Sequence, residues 1–322
     1  MKAAVFYETG SPDVLRYEDV PDPQCRPRGL VFDVKAISIE GGDLLHRAGG
    51  DMPGTPHIVG YQAAGVVREV GERVTRFKPG DQVVATMAHG SHASVCYVTE
   101  QTAYAVPDGM DIVEASVIPI AFGTADDCLF EFGHLQAGET VLVQAAAGGV
   151  GLAAVQLAKA AGATVLGTAS SQEKLDRLKE FGLDHGINYK DQDLAEETMR
   201  LTERAGANLV VDPVGGRTLE QSIAALAYRG RISWVGRAGR EEQPPEIWPI
   251  MQKNGSITGV FLGAEFARNR DRTRPMIEKL IERVHSGELK VVIDRTFPLS
   301  EAAEAHRHIE SRSAFGRVVL TP

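Results

Sequence analysis

One segment constrains this chain more than any other. Val141-Leu142-Val143-Gln144 runs into Ala145-Ala146-Ala147-Gly148-Gly149-Val150-Gly151, and a mostly small and apolar stretch interrupted by Gln156 and Lys159 continues to Ala161. The uncharged window from Thr140 to Ala158 is long enough for a membrane span, but its central glycines, Gln144 and Gln156 argue against one. A buried strand, a glycine turn and a helix account for it. At such a turn the free N–H groups and the dipole of the helix favour an anion, and glycines let a diphosphate approach the backbone. The first glycine of G-x-G-x-x-G is missing, since Ala146 stands two before Gly148. The context supplies what the motif lacks: a strand before, a helix after and a second strand about twenty residues on. Gly148, Gly149, Val150 and Gly151 are therefore candidate cofactor-binding positions, with tight helix–strand packing as the structural alternative.

The pattern around this turn extends it into a domain. Strand-like runs at 141–144, 164–167, 186–188, 209–212 and 231–235 alternate with helical runs at 149–161, 172–181, 194–205 and 218–226, after a helical stretch near 114–133. Such a succession predicts a doubly wound parallel sheet covered on both faces. The first third reads differently, with short strands at 31–34, 65–71 and 83–85 and a type II turn at Lys78-Pro79-Gly80-Asp81. A mostly antiparallel β unit is expected there. The tail adds a strand near 259, a helix at 273–284 and a last strand at 317–320 that rejoins the first unit. The expected division is 1–120, 121–258 and 259–322, the outer two segments forming one unit.

Composition narrows the classes of function. The 322 residues carry 34 Lys and Arg against 43 Asp and Glu, a net charge of −9. An acidic surface disfavours nucleic acid and anionic membrane as partners. The basic stretch Arg268 to Arg274 is the one exception, and it reads as the solvated start of a helix. Three scattered cysteines, Cys25, Cys96 and Cys128, exclude a disulfide framework and point to a reducing, cytoplasmic setting. They read as inert thiols. The N-terminal residues form no signal peptide, because Glu8 interrupts any apolar run.

The second strand bears on the choice of dinucleotide. An NAD site carries an Asp or Glu at its tip for the ribose hydroxyl, whereas this one reads Gly167-Thr168-Ala169-Ser170-Ser171-Gln172-Glu173-Lys174. Ser170, Ser171 and Lys174 suit a 2′-phosphate, so NADPH is the expected cofactor. Ser170 or Ser171 also suits the cap of the next helix.

Three segments together resemble a known family: Gly10-Ser11-Pro12-Asp13-Val14-Leu15, Val59 to Val83 with its Lys78-Pro79-Gly80-Asp81 turn, and Ala145 to Gly151. The chain is similar to the medium-chain dehydrogenase/reductases, in particular the zinc-independent quinone oxidoreductase (zeta-crystallin-like) branch. The resemblance spans essentially the whole chain. It implies an α/β architecture with a GroES-like β-rich substrate domain, a Rossmann domain, NADPH in the cleft between them, and a homodimer built through the Rossmann sheets. It further implies cofactor roles for Tyr189, for Gly236, Arg237 and Ala238, for Phe261 and Leu262, and for Arg312. Phe261 and Leu262 have ordinary core as the alternative. Thr124 falls where the family places a threonine near the nicotinamide.

Zinc-dependent relatives carry Cys at the position of Glu40 and His-Glu at that of Tyr61-Gln62, so no metal is expected. Without one, the pocket must orient an electron-poor acceptor, a quinone or an α,β-unsaturated carbonyl, and stabilise the charge that develops. Glu40, His46 and Tyr61 are the polar candidates, in a segment that departs from the family at Glu40 and Leu45. Each has a plain alternative: Glu40 paired with Arg47, His46 in an exposed loop, Tyr61 in the core. Asp43 is expected to tie down its loop. The competing reading is a non-catalytic NADPH-binding protein, structural or RNA-associated, supported only by the basic stretch.

Overall fold

Strand β1 (Lys2–Phe6) pairs antiparallel with β2 (Arg16–Asp19), Lys2 facing Asp19 across the pair. The structure is a computed structural model that describes residues 1–241 and 243–322. After β2 come β3 (Gly29–Ser38), α1 (Gly41–Gly49), β4 (His57–Ile58), β5 (Gln62–Val70), β6 (Gln82–Thr86), β7 (Val95–Thr99) and β8 (Ala103–Ala105). These strands pair antiparallel throughout, β3 standing between β5 and β7, and β6 between β5 and β8. The turn into β6 takes the form its sequence predicts. Gly80 has φ of 95°, and Asp81 N–H donates to the Lys78 carbonyl at 3.2 Å.

A short helix α2 (Ile112–Ala115), capped by Asp111 accepting from Val113 N–H, leads to α3 (Ile118–Asp126). The single helical stretch expected near 114–133 is thus divided. Its last part widens into a π-type turn in which Phe132 N–H reaches back to the Asp127 carbonyl.

The chain then alternates strictly: β9 (Thr140–Val143), α4 (Gly149–Ala160), β10 (Thr164–Ala169), α5 (Gln172–Lys179), β11 (His185–Asn188), α6 (Leu194–Leu201), β12 (Ala207–Asp212), α7 (Gly216–Ala225), β13 (Leu226–Trp234) and β14 (Ser256–Gly259). All six strands run parallel in the order β11-β10-β9-β12-β13-β14. This is the doubly wound order in which the sequence reverses direction between β9 and β12, the place where such sheets take their ligands. Leu142, Leu166, Ile187, Val210 and Ile232 from five of these strands share a core with Leu219 and Ile223 of α7.

Helix α8 (Leu262–Arg268) follows, then α9 (Arg270–His285), β15 (Ile293–Pro298), α10 (Ala302–Glu310) and β16 (Arg317–Thr321). Strand β16 pairs with β3, Val319 opposite Ser38, so the tail completes the sheet of the first strands. The compact units are 1–120 with 271–322, and 121–270. Residues 259–270, assigned to the tail from sequence, belong with the parallel sheet, because β14 joins β13 and ends at Gly259 rather than beginning there.

The basic stretch is less solvated than its sequence suggests. Arg274 donates to the carbonyls of Gln101 (2.6 Å) and Ala103 (3.2 Å) and lies over the Tyr104 ring. Among the described residues, no helix is long and apolar enough to cross a membrane.

Candidate active site

The glycine turn is built on a buried polar chain at the ends of three strands. Thr168 Oγ1 donates to Gln144 Oε1 (2.9 Å), Gln144 Nε2 to Ser222 Oγ (3.0 Å), and Ser222 Oγ to Asp212 Oδ2 (2.8 Å). Each end of this chain fixes a loop. Thr168 Oγ1 accepts from Ala145 N–H at 3.0 Å, which holds Ala145 at a φ of 50°. Asp212 Oδ1 accepts from Val214 and Gly215 N–H, shaping the bend before α7. Burial pushes the Asp212 carboxyl above its ordinary range, against these hydrogen bonds.

Gly148 is the N-cap of α4 and supplies no side-chain cap, and no acid lies in the first turn. The donors and dipole of this helix start are thus left without a side-chain partner, an arrangement that suits an anion. At Gly151 a Cβ would stand 2.4 Å from the Ala145 carbonyl oxygen and 2.7 Å from Ala146 Cα, so only glycine lets the helix seat there. Gly149 and Val150 occupy the first turn between them. Ser171 caps α5, accepting from Lys174 N–H at 3.4 Å, with half-buried Ser170 before it and Lys174 one turn inside. The cap and the phosphate readings of these hydroxyls are compatible. No carboxylate stands at the tip of β10. This donor set fits a 2′-phosphorylated dinucleotide.

In the other unit, Glu40 is fully enclosed. Its Oε1 accepts from Ser38 Oγ (3.0 Å) and Gln62 Nε2 (2.6 Å) and forms an ion pair with Arg317 of β16. Arg317 also donates to Ser38 Oγ, from Nε at 3.1 Å and Nη2 at 3.0 Å, and to the Ile39 carbonyl. Gln62 Oε1 accepts from Ile120 N–H at 3.2 Å. The expected alternative partner, Arg47, is elsewhere engaged, with Glu310 at 2.5 Å. Asp43 does hold its segment as expected, its Oδ2 accepting from Glu40 N–H at 2.8 Å. Its Oδ1 is buried with no hydrogen-bond partner among the described residues, and burial raises its pKa well above the usual carboxylate value.

Tyr61 lies against this cluster, its phenol oxygen accepting from Gly42 N–H. Burial first, then the nearby Asp43 and Glu40 carboxyls, raise its pKa well above 10, while Arg317 acts in the opposite sense. His46 is not part of the cluster and not in a loop. It sits on α1, donates from Nε2 to the Asp51 carbonyl at 2.7 Å, and its ring meets that of His57 at a tilt of 40°, as His57 meets His89 at 48°. Burial and its two imidazole neighbours push His57 down to about 4. Thr124 is buried on α3 in the second unit.

The remaining sequence candidates divide by exposure. Tyr189, Arg237, Ala238 and Arg312 are exposed, Gly236 accepts from Trp234 Nε1 at 2.7 Å, and Phe261 is 74% exposed while Leu262 is core. The core reading therefore holds for the side chain of Leu262 and fails for Phe261. Cys96 and Cys128 are buried, and burial raises the Cys96 thiol to about 12. Sequence reasoning missed Arg317, Ser38 and Gln62. One signal was present: Arg317 is a charge directly before the apolar run Val318-Val319-Leu320.

Residues 26–110 match the alcohol dehydrogenase GroES-like domain, and 149–285 match the zinc-binding dehydrogenase family. A quinone oxidoreductase of Pseudomonas aeruginosa is 33% identical over 100% of this chain and 99% of its own. The chain belongs to the medium-chain dehydrogenase/reductase superfamily. It is a quinone oxidoreductase-like enzyme of that superfamily, an oxidoreductase. A 2-haloacrylate reductase of a Burkholderia species is also 33% identical, over 99% of this chain and 98% of its own. The Escherichia coli quinone oxidoreductase, solved with NADPH, superposes with a TM-score of 0.94 at 29% identity, over all of both chains.

Proposed function

We propose that this enzyme is an NADPH-dependent reductase that works without a metal and reduces quinones or activated alkenes such as α,β-unsaturated carbonyls. The observation that supports the metal-free reading is the Glu40–Arg317 pair, which sets a guanidinium against the carboxylate where a divalent cation would need it. Relatives named for quinones and for 2-haloacrylate support an electron-poor double bond as the acceptor. When bound, NADPH supplies the hydride. Gly148 to Gly151 would hold its diphosphate, Ser170, Ser171 and Lys174 its 2′-phosphate, and Tyr189 and Arg312 the adenosine end. Gly236 to Ala238, Phe261, Leu262 and Thr124 would border the nicotinamide. Tyr61, whose hydroxyl lies beside Gly42 at the start of α1, would give a proton to the reduced acceptor. His46 is better explained by its ring contact with His57 and its hydrogen bond to the Asp51 carbonyl.

The test is NADPH oxidation over a panel of quinones and enones with a chelator present. Lys174→Ala should weaken NADPH binding about tenfold or more and leave NADH binding unchanged. Tyr61→Phe should lower kcat roughly 100-fold. Inactivity across the panel removes the reading, and an unchanged NADPH affinity in Lys174→Ala removes the phosphate assignment.

A homodimer through the parallel sheets fits the second unit. Strand β14 is a sheet edge, and Tyr228, Trp248 and Met251 nearby are all 60% exposed or more. Sedimentation at micromolar concentration should give a dimer, and Trp248→Glu should dissociate it; a monomeric wild type refutes this. The free thiols, two of them buried, suit a reducing cytoplasm.

A further inference from the structure

We propose that Asp212 is a positioning residue for NADPH: its carboxyl ends a one-way chain of buried hydrogen bonds and so ties the diphosphate turn to the loop that holds Gly236 to Ala238. This rests on the reading that Gly148 to Gly151 hold the diphosphate and that Gly236 to Ala238 border the nicotinamide. Every contact involved lies within the second unit.

The diphosphate end begins at a residue in an unfavourable conformation. Ala145 has φ of 50°, a left-handed backbone that alanine rarely adopts. Both of its main-chain groups are fixed, the N–H donating to Thr168 Oγ1 (3.0 Å) and the carbonyl accepting from Gly148 N–H (2.9 Å). The turn so held leads straight into α4. There Leu152 N–H bonds back to the Gly148 carbonyl at 2.8 Å, and Gly149, Val150 and Gly151 stand one turn ahead of that ladder.

From Thr168 the donors all point one way: Thr168 Oγ1 to Gln144 Oε1 (2.9 Å), Gln144 Nε2 to Ser222 Oγ (3.0 Å), Ser222 Oγ to Asp212 Oδ2 (2.8 Å). Gln144 fixes that direction. With its amide reversed, Thr168 Oγ1 would receive two N–H groups and its own proton would lose its acceptor. The chain ends on Asp212, whose other oxygen accepts from Val214 N–H (2.8 Å) and Gly215 N–H (2.9 Å). The loop bound there holds the second segment, since the Pro213 and Val214 carbonyls accept from Ala238 and Gly239 N–H, each at 3.0 Å. In a buried chain each hydrogen bond polarises the next, so a cut at one link is felt at the others.

The test titrates NADPH and 2′-AMP, which carries the 2′-phosphate but no diphosphate, into five proteins by calorimetry: Thr168→Val, Thr168→Ser, Ser222→Ala, Asp212→Asn, and the double variant Thr168→Val with Ser222→Ala. Thr168→Val and Ser222→Ala should each weaken NADPH binding about tenfold, Thr168→Ser should restore it, and 2′-AMP affinity should stay within about twofold throughout. The double variant should lose no more than about tenfold, because a chain already cut at Thr168 has nothing further to transmit from Ser222. In amide exchange without cofactor, Ser222→Ala should speed exchange at the Ala145 turn, to which Ser222 is not bonded, and Asp212→Asn should speed it there and at 213–215. If Asp212→Asn does not fold, the Thr168 and Ser222 variants carry the comparison.

Losses that multiply to about a hundredfold in the double variant overturn the proposal, as does an Ala145 turn that exchanges at the wild-type rate in Ser222→Ala. An equal loss of 2′-AMP affinity overturns it too, by showing general damage to the unit. Gly151→Ala separates the proposal from the site it rests on. Unchanged NADPH affinity in that variant removes the diphosphate reading and the proposal with it, while a loss there with none in Thr168→Val removes the proposal alone.

Discussion

Gly151→Ala is expected to weaken NADPH binding about 100-fold or more, a loss near 2.7 kcal/mol. The added Cβ meets main-chain atoms, the Ala145 oxygen at 2.4 Å and Ala146 Cα at 2.7 Å, and neither can swing aside like a flexible side chain. Ala145 cannot yield locally either, because its N–H is held by Thr168 and Thr168 by the buried chain through Gln144 and Ser222 to Asp212. Relief must come from moving the first turn of α4, and with it the N–H groups offered to the diphosphate. Overpacking of this kind costs about 1 to 3 kcal/mol in stability, so the variant should fold with a lowered Tm. Fluorescence titration with NADPH measures the effect; unchanged affinity would place the cofactor elsewhere.

Breaking the buried pair between Arg47 and Glu310 should be costly in an asymmetric way. Arg47 is 2% exposed at its side chain and its Nε and Nη1 have no hydrogen-bond partner among the described residues, so Nη2 on Glu310 at 2.5 Å is its anchor. Glu310 is 21% exposed and can turn to water. Glu310→Ala strands a buried cation and should cost about 3 to 5 kcal/mol. Arg47→Met fills the same space with an apolar chain, leaves an acid that can be hydrated, and should cost about 1 to 2 kcal/mol. Urea unfolding of both variants decides the matter. Equal costs, or a larger one for Arg47→Met, would show that Glu310 does not anchor the guanidinium.

What the sequence could reveal follows from the range of the interactions involved. The parallel sheet was legible because each strand, turn and helix in 140–234 is specified by neighbours a few residues away, and the chain repeats the pattern. Gly151 belongs to the same class, its close approach being to Ala145 and Ala146. The pairing of Glu40 was not legible, since Arg47 lies seven positions on along α1 while the actual partner comes from β16. His46 escaped for a related reason: its neighbours His57 and His89 are brought to it by β4 and the loop after β6. The divided helix near 114–133 and the strand ending at Gly259 reflect hydrogen bonding that apolar spacing does not encode.

Strand β16 has a consequence for the order in which the protein is made. A chain emerging from the ribosome can complete the parallel sheet from contiguous residues, but the sheet containing β3 waits for a strand 279 residues further along, as does the counter-ion of Glu40. Until then the nascent polypeptide leaves Ile37 and Ser38 at the end of β3 unpaired and keeps the Glu40 carboxylate hydrated, because closure around it would bury an unbalanced charge. The surroundings of Glu40 are therefore assembled only once β16 has been made, and the parallel sheet can reach its native form well before that.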